Sequence, residues 1–325
     1  MAKLCQYACS PRPAPVLECV VRIVEETNTR TSPANGQPEK RNHLPVREAA
    51  FDRPRDFLNN RFVYVVISSR AHGLSVGVNM NPDKSCNYDC LYCEVDRRTP
   101  PIETTLDVGV MAGELQRTLT YILQGHLHER PHYQSLPTEL LQLRHVALSG
   151  DGEPTLAPNF AEAVQEVIHV RALGGFPFFK IVLITNATGL DRPQVQESLK
   201  RLTKSDEVWV KLDGGTQDYL NRVDRPGVPL EKVLSNILAL GRQRPVVIQS
   251  LFPAINEEEP SLEEIEQFAQ RLKELKARGA QISLVQIYSA ARPMSHAECG
   301  HLPLKTLSHI AQLVRQITGL KAEVF

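Results

Sequence analysis

Short apolar runs rich in Val and Ile recur from about residue 61 onwards, and six of them are typical of buried β-strands. Between them lie segments in which apolar residues recur every three or four positions, as they do on one face of a helix. The strand candidates are Leu74–Met80, His145–Ser149, Lys180–Thr185, Glu207–Leu212, Val246–Leu251 and Ile282–Tyr288. The first two helical faces comprise Val108, Met111, Leu115, Leu119 and Ile122, then Phe160, Ala163, Val164, Val167 and Ile168.

One helix also has recognisable end signals. Ser261 and Glu264 form a capping-box pattern ahead of its apolar face, and Gly279 follows where a C-terminal cap belongs. Alternation of strands with helices predicts parallel strands with helices packed outside. Six such units predict an α/β fold: an open, partial (β/α)6 TIM-like barrel rather than the full eight units.

The first 60 residues have a different texture. They hold 7 of the 23 prolines and a polar tract over Thr27–Arg47, which predicts a loosely ordered leader (1–60) ahead of a catalytic domain (61–325). Residues 16–24 are a candidate strand within that leader. Three prolines interrupt the N-terminus before any apolar signal stretch, and no apolar run is long enough to span a membrane. We therefore expect a cytoplasmic protein without a membrane partner.

The charge balance and the cysteine content narrow the range of possible functions. The 37 Lys and Arg residues balance the 37 Asp and Glu residues, which argues against a protein built for broad electrostatic capture of nucleic acid. Seven cysteines in a chain without an export signal indicate metal or catalytic use rather than disulfides.

Three of these cysteines follow the first predicted strand. Cys86, Cys90 and Cys93 are separated by three and then two residues, and Tyr92 precedes the last of them. Three thiolates on so short a loop can hold a cubane cluster and leave its fourth iron without a protein ligand. A zinc site or a closed, ferredoxin-type cluster is the alternative, but both ordinarily take four protein ligands and no fourth cysteine lies nearby.

A second motif, SGDGEPT, ends the second predicted strand at Ser149–Thr155. Gly150 and Gly152 would let the backbone approach a ligand closely, and the Glu153 carboxylate could accept hydrogen bonds from an ammonium group. An ordinary strand-to-helix turn would also use glycine and proline here.

The cysteine spacing with its aromatic residue resembles that of the radical S-adenosylmethionine (radical SAM) superfamily, and SGDGEPT resembles the family's Gly-Gly-Glu-Pro region, with Asp151 as a departure. With Asn79–Pro82 ahead of the cysteines, the variant is similar to a branch near the wyosine-type tRNA-modifying enzymes. The resemblance implies a [4Fe–4S] cluster on Cys86, Cys90 and Cys93 whose open iron chelates S-adenosylmethionine. One electron then produces a 5′-deoxyadenosyl radical, which abstracts hydrogen from a substrate.

The resemblance also implies contacts at the ends of later strands. Polar residues there would contact the ribose and carboxylate of S-adenosylmethionine, and Tyr288 would flank adenine. For each residue alone, capping of a turn or packing is the alternative. The expected cofactor-binding residues are Tyr92, Gly150, Asp151, Gly152, Glu153, Thr185, Asn186, Lys211, Asp213 and Tyr288.

We expect an external reductant such as flavodoxin or ferredoxin, because the barrel ends with the chain and leaves no cysteine-rich, flavin or cobalamin domain. The substrate stays open among small molecules, peptides and RNA, with a tRNA-base modifier and a glycyl-radical activase as named alternatives. Outside this class, an iron–sulfur electron-transfer protein and a zinc-stabilised RNA-binding protein are the competing hypotheses.

Three further groups are weaker candidates. Cys5, Cys9 and Cys19 could hold an auxiliary cluster, and the loop after the sixth strand could bind a metal or use Cys299 as a hydrogen-atom donor. A basic face could bind phosphate. The loop residues are His296, Glu298, Cys299 and His301, and the basic residues are Arg97, Arg98, Lys200, Arg201, Lys204, Arg222 and Arg225.

Overall fold

The computed structural model describes residues 57–290 and 296–325. Most of the predicted leader, its candidate strand and Cys5, Cys9 and Cys19 lie outside the described residues. The last four residues of the predicted leader are described, and Phe57–Asn59 forms a 3-10 turn with Phe57 buried.

The described elements alternate between strands and helices along most of the chain. The strands are β1 (Val63–Ser68), β2 (Gly73–Asn79), β3 (Leu143–Ser149), β4 (Lys180–Thr185), β5 (Glu207–Lys211), β6 (Val246–Leu251), β7 (Ala254–Ile255), β8 (Ile282–Tyr288), β9 (Cys299–Gly300) and β10 (Ala322–Val324). The α-helices are α1 (Val108–Leu123), α2 (Phe160–Ala172), α3 (Pro193–Leu199), α4 (Gln217–Val223), α5 (Leu230–Gly241), α6 (Leu262–Ala277) and α7 (Leu304–Thr318).

Eight strands form one sheet in the order β1-β2-β3-β4-β5-β6-β8-β10. From β2 onwards all neighbours are parallel, whereas β1 pairs with β2 in the antiparallel direction. The six predicted strands are therefore confirmed, three with the predicted bounds and three with shifts of one or two residues. Two edge strands, β1 and the three-residue β10, were not predicted.

The sheet curls until its two edges approach each other. The ring of His72, in the turn between β1 and β2, lies 5.6 Å from the ring of Phe325, which follows β10. The guanidinium carbon of Arg70, in the same turn, lies 4.2 Å from the ring centroid of Tyr288. The architecture is therefore the expected partial TIM-like barrel.

Contacts that skip a strand identify the concave face of this sheet. His145 on β3 packs edge-on against Trp209 on β5, with ring centroids 5.3 Å apart, and Lys211 on β5 reaches Tyr288 on β8. Alternate residues such as Val208 and Val210 point the other way and are fully buried on the helix-covered face. The inside of the barrel is thus partly polar. The end of the barrel at which the parallel strands finish is called the barrel mouth below.

Helix α6 shows half of the predicted capping box. The Ser261 hydroxyl accepts a hydrogen bond from the Glu264 amide at 3.2 Å, as expected. The Glu264 carboxylate, however, binds the Gly215 amide and the Thr216 hydroxyl, both at 2.5 Å, in the loop after β5. Gly279, with a φ of 98°, follows the helix as predicted. The acidic residue thus ties the helix to a neighbouring strand end.

No helix in the described ranges is long and apolar enough to cross a membrane.

His145 yields a prediction about stability. Its side chain is buried on the concave face, where Nε2 lies 2.8 Å from the Ser75 hydroxyl. Burial, with Lys180 and Arg70 nearby, lowers the pKa of His145 from 6.5 to about 3. Below pH 6.5 the unfolded chain therefore takes up a proton that the folded chain refuses, so the free energy of unfolding falls as the pH falls.

Between pH 7.5 and pH 5 this single group should lower the free energy of unfolding by about 2 kcal/mol. His145→Gln should remove that part of the pH dependence, as measured by urea unfolding followed by circular dichroism. The exposed His309→Gln serves as the control and should keep the wild-type pH dependence. Equal pH dependence in wild type and His145→Gln would contradict the assignment.

Candidate active site

The cysteine loop, residues 80–107, connects β2 to α1 and leaves the barrel at the carboxyl end of β2. In this barrel class, the carboxyl ends of the strands are where chemistry is found. Cys86, Cys90 and Cys93 are all free thiols, and each residue keeps part of its surface accessible. The structure thus places the three predicted ligands on one loop at the expected end of the barrel.

Backbone hydrogen bonds hold one side of this loop against the end of α4. The Asp89 amide donates to the Asp224 carbonyl at 3.1 Å, and the Leu91 amide donates to the Val223 carbonyl at 2.8 Å. These bonds fix the loop on both sides of Cys90.

Side-chain amides hold the loop against the end of β4. The Asn87 amide group donates to the Thr188 hydroxyl at 3.0 Å, while its carbonyl oxygen accepts from the Asn186 side chain at 2.9 Å. Asn186 also accepts from the Thr188 hydroxyl at 2.7 Å. Asn186, predicted to contact the cofactor, therefore positions the residue directly after Cys86.

Gly150 and Gly152 make room for the cysteine loop. A Cβ atom on Gly152 would lie 1.8 Å from the Ser85 carbonyl oxygen, and one on Gly150 would lie 2.2 Å from the Asn79 side chain. Gly150 also has a φ of 143°, which side chains disfavour. In this structure, the close backbone approach that we expected these glycines to offer a ligand is made by the protein's own chain.

Asp151, the departure from the family motif, is bonded to the neighbouring strand. Its carboxylate accepts from the Asn79 side-chain amide at 2.8 Å, and its backbone amide donates to the Asn79 side-chain oxygen at 3.0 Å. This reciprocal pair locks the turn after β3 to the end of β2.

The Glu153 carboxylate is buried and fully engaged. It accepts from the Thr155 hydroxyl at 2.6 Å, the Thr185 hydroxyl at 2.5 Å and the Asn186 amide at 2.6 Å. Burial raises the pKa of Glu153 despite these donors. In this structure Glu153 thus joins the ends of β3 and β4, and its oxygens already have donors.

Tyr92 connects the cysteine loop to the end of β5. Its hydroxyl lies within hydrogen-bonding distance of the carboxylates of Asp213 and Asp224, the latter at 2.8 Å. Asp213 also faces the Lys211 ammonium at 3.2 Å, which in turn lies 3.2 Å from the Tyr288 hydroxyl. Four residues predicted from distant parts of the chain therefore meet at one point.

Charge within this cluster is balanced internally. Burial raises the pKa of Asp224, and the neighbouring Asp213 charge raises it further. Burial acts to lower the pKa of Lys211, but the negative charges around it, led by the Asp213 carboxylate, together more than offset this and raise that pKa. Burial also raises the pKa of the Cys90 thiol well above its usual value, and the nearby Asp224 charge adds to the rise. Lys211, which is partly accessible, and the buried Asp213 thus form an ion pair near Cys90.

The chemistry of the donor set fits an iron–sulfur cluster. Cys86, Cys90 and Cys93 supply three thiols from one loop, and cysteine thiolates are the ligands that hold such clusters in proteins. A cubane attaches its cysteines to different irons, so three cysteines would leave one iron open. Among residues 57–290 and 296–325, no group of three Cys, His, Asp or Glu side chains is placed to hold a single metal ion.

Asp224, Asn87 and Thr188 are site residues that the sequence analysis missed. Asp224 lies between Arg222 and Arg225, which the sequence analysis assigned to a candidate basic face. One of these, Arg225, instead forms ion pairs with Asp89 at 3.4 Å and Glu298 at 3.6 Å. The sequence gives no indication that Asp224 belongs to the site, because its partner Tyr92 lies 132 residues away along the chain.

The loop after β8 does not form the suggested metal site among the residues described. His301 Nδ1 lies 3.0 Å from the Ala290 carbonyl oxygen, and His296 lies 3.8 Å from Glu298. Cys299 is buried on β9, which pairs with β7, and burial raises its pKa to about 11. Its suggested role as a hydrogen-atom donor stays a hypothesis.

The candidate basic face is divided between the two ends of the barrel. Arg97 and Arg98 follow the cysteines at the carboxyl end of β2, whereas Lys200, Arg201 and Lys204 precede β5 at the opposite end. Lys200 pairs with Glu197 at 2.9 Å, and Arg201 bonds to Gln165 at 2.7 Å. These residues do not make one continuous phosphate-binding surface.

Comparison with known proteins agrees with this geometry. The family model of the Radical SAM superfamily matches residues 80–272, more than half of the chain. The chain belongs to the radical SAM superfamily, whose enzymes use a [4Fe–4S] cluster and S-adenosylmethionine and require a reductant and a substrate.

Individual relatives are 30% identical to this chain or less over the matched regions. A UPF0026 protein of Helicobacter pylori (strain J99) is 28% identical over 191 residues, covering 57% of this chain and 53% of that protein. A UPF0026 protein of Synechocystis is 30% identical, covering 54% and 57% respectively. The S-adenosyl-L-methionine-dependent tRNA 4-demethylwyosine synthase TYW1 of Mus musculus is 26% identical, covering 45% and 19%. The match thus spans about half the length of the two UPF0026 proteins.

Solved structures share the fold. TYW1 with a lysine-pyruvate adduct bound superposes with a TM-score of 0.51 at 14% identity, covering 79% of this chain and 85% of that chain. A radical SAM methyltransferase from Sphaerobacter thermophilus gives 0.53 at 18% identity, covering 81% and 68%.

The tight contact at Gly152 gives a testable consequence. Gly152→Ala should displace the cysteine loop, lower the free energy of unfolding by about 1–3 kcal/mol and reduce the iron bound after anaerobic reconstitution. Gly175→Ala is the matched control, because a Cβ there meets nothing within 4 Å. Iron and sulfide analysis and urea unfolding measure the two effects. Full iron and unchanged stability in Gly152→Ala would show that the contact with Ser85 is not required.

Proposed function

We propose that Cys86, Cys90 and Cys93 bind a [4Fe–4S] cluster and that the chain cleaves S-adenosylmethionine reductively to abstract hydrogen from a substrate. The observation that carries this proposal is the cysteine loop itself. Its three free thiols lie at the carboxyl end of β2, and the ends of β3, β4 and β5 all hold the loop in place. When bound, the cluster supplies the electron that breaks a carbon–sulfur bond of S-adenosylmethionine and yields a 5′-deoxyadenosyl radical.

The protein's own residues would hold and orient the two cofactors. Tyr92 and Asn87 fix the loop that carries the ligands. Lys211 is a partly buried cation near the barrel mouth that pairs with Asp213 and could also meet a cofactor carboxylate. The ring of Tyr288 lies beside it, 5.5 Å from its ammonium. We propose Lys211, Asp213 and Tyr288 as cofactor contacts on this basis, with Gly150–Glu153, Thr185 and Asn186 bordering the same space.

An external reductant such as flavodoxin or ferredoxin is proposed as the electron source. The three cysteines are partly accessible from the barrel mouth, so a protein partner docked there could approach the cluster.

Replacement of one proposed ligand tests the function. Anaerobically reconstituted wild-type protein should contain about four irons per chain and, with dithionite and S-adenosylmethionine, release 5′-deoxyadenosine. Cys90→Ala should lose most of the cluster and should not release 5′-deoxyadenosine. Iron and sulfide analysis with chromatography of the products gives both measurements.

Cys299→Ala is the control, because Cys299 lies outside the cysteine loop and should leave iron content unchanged. Zinc in place of iron would contradict the proposal. So would a complete cluster that never cleaves S-adenosylmethionine with alternative reductants and candidate substrates present, which would favour an electron-transfer protein.

A second candidate function is tRNA-base modification. It is supported by the similarity to tRNA 4-demethylwyosine synthases of Mus musculus and Saccharomyces cerevisiae, each 26% identical to this chain over the matched region. The divided basic residues do not favour it. Bulk tRNA that accelerates 5′-deoxyadenosine release, with loss of the effect after ribonuclease treatment, would establish an RNA substrate. No response to tRNA would leave peptides and small molecules.

A further inference from the structure

We propose that Arg97 is a positioning residue that raises the reduction potential of the cluster through a hydrogen bond to the sulfur of Cys93. The inference rests on the proposed function, because it presumes a cluster on Cys86, Cys90 and Cys93. Nη1 of Arg97 lies 3.0 Å from Cys93 Sγ, and Nη2 lies 3.3 Å from the Asp151 carbonyl oxygen. One guanidinium thus joins a ligand sulfur to the turn after β3.

Local hydrogen bonds hold the chain around Arg97 in place. The Lys84 ammonium donates to the carbonyl oxygens of Asp96 and Thr99, both at 2.7 Å. The Asp96 carboxylate accepts from the Thr99 hydroxyl at 2.7 Å and from the Arg98 amide at 3.0 Å. These bonds close a tight turn over residues 96–99. The position of Arg97 is therefore set by its neighbours as well as by its own two contacts.

The adjacent arginine has a different environment. The Arg98 side chain is 89% exposed and pairs only locally, with the Asp96 carboxylate at 3.2 Å. Two arginines next to each other in sequence thus differ in one respect that matters: only the first donates to a cysteine sulfur. Arg98 provides a control of identical charge at nearly the same place.

The effect of Arg97 follows from charge. Reduction adds an electron to the cluster, and a cationic donor at a ligand sulfur stabilises the more negative, reduced state. Removing the cation should therefore make the cluster harder to reduce. Because Arg97 is itself partly exposed to water, solvent screening keeps the effect modest.

The test compares the reconstituted full chain in four forms: wild type, Arg97→Gln, Arg97→Lys and Arg98→Gln. Iron content is measured first, and the reduced cluster is then followed by electron paramagnetic resonance during a dithionite titration. At the wild-type midpoint, we expect Arg97→Gln to show a roughly threefold higher ratio of oxidised to reduced cluster, about 28 mV at 59 mV per tenfold change. Arg97→Lys should fall between Arg97→Gln and wild type, and Arg98→Gln should match wild type.

An unchanged midpoint in Arg97→Gln with full iron, or an equal shift in Arg98→Gln, would overturn the inference. If Arg97→Gln assembles no cluster, the midpoint of Arg97→Lys decides: a shift below wild type supports the role of the guanidinium, and a wild-type value overturns it. Wild-type protein that holds no [4Fe–4S] cluster would instead refute the proposed function on which the inference rests. These outcomes therefore distinguish failure of the inference about Arg97 from failure of the proposed function.

Discussion

The contact between the Tyr92 hydroxyl and the carboxylates of Asp213 and Asp224 is the interaction on which the site depends. It fastens the cysteine loop to the β5 end of the barrel between Cys90 and Cys93. Each group is buried, and an unpaired polar group there would be costly. Lys211 balances the charge of Asp213, so the ligand loop, the barrel wall and the cation are fixed together.

Similar hydrogen bonds between buried polar groups join the other strand ends around the barrel mouth. Glu153 joins β3 to β4, Asp151 joins β3 to β2, and Asn87 joins the cysteine loop to β4. Several residues that the superfamily pattern associates with cofactor binding thus also hold the loops in place. A substitution at such a position would disturb loop geometry as well as the proposed cofactor contact, so iron content and stability must be measured beside activity.

Much of the fold could be predicted because its signals are local. Runs such as Lys180–Thr185 and the three-to-four-residue spacing in α1 report burial on one face without reference to the rest of the chain. The edge strands β1 and β10 were harder to predict. β10 has three residues and is held by pairing with β8 and by its closeness to α7. Glu264 was predicted to cap its own helix, but it binds the loop after β5, a partner that sequence spacing cannot reveal.

The six-strand α/β core, the three cysteines of one loop, the radical SAM family and the polar residues at the strand ends could all be predicted before the structure was seen. These follow from residue type and short-range spacing. The contacts of those residues became visible only in the folded chain. Gly152 makes room for Ser85, Asp224 meets Tyr92, and Arg97 but not Arg98 reaches a cysteine sulfur. The reason is physical. Hydrogen bonds and charge pairs act over a few ångströms in space, and folding brings together groups that are far apart along the chain.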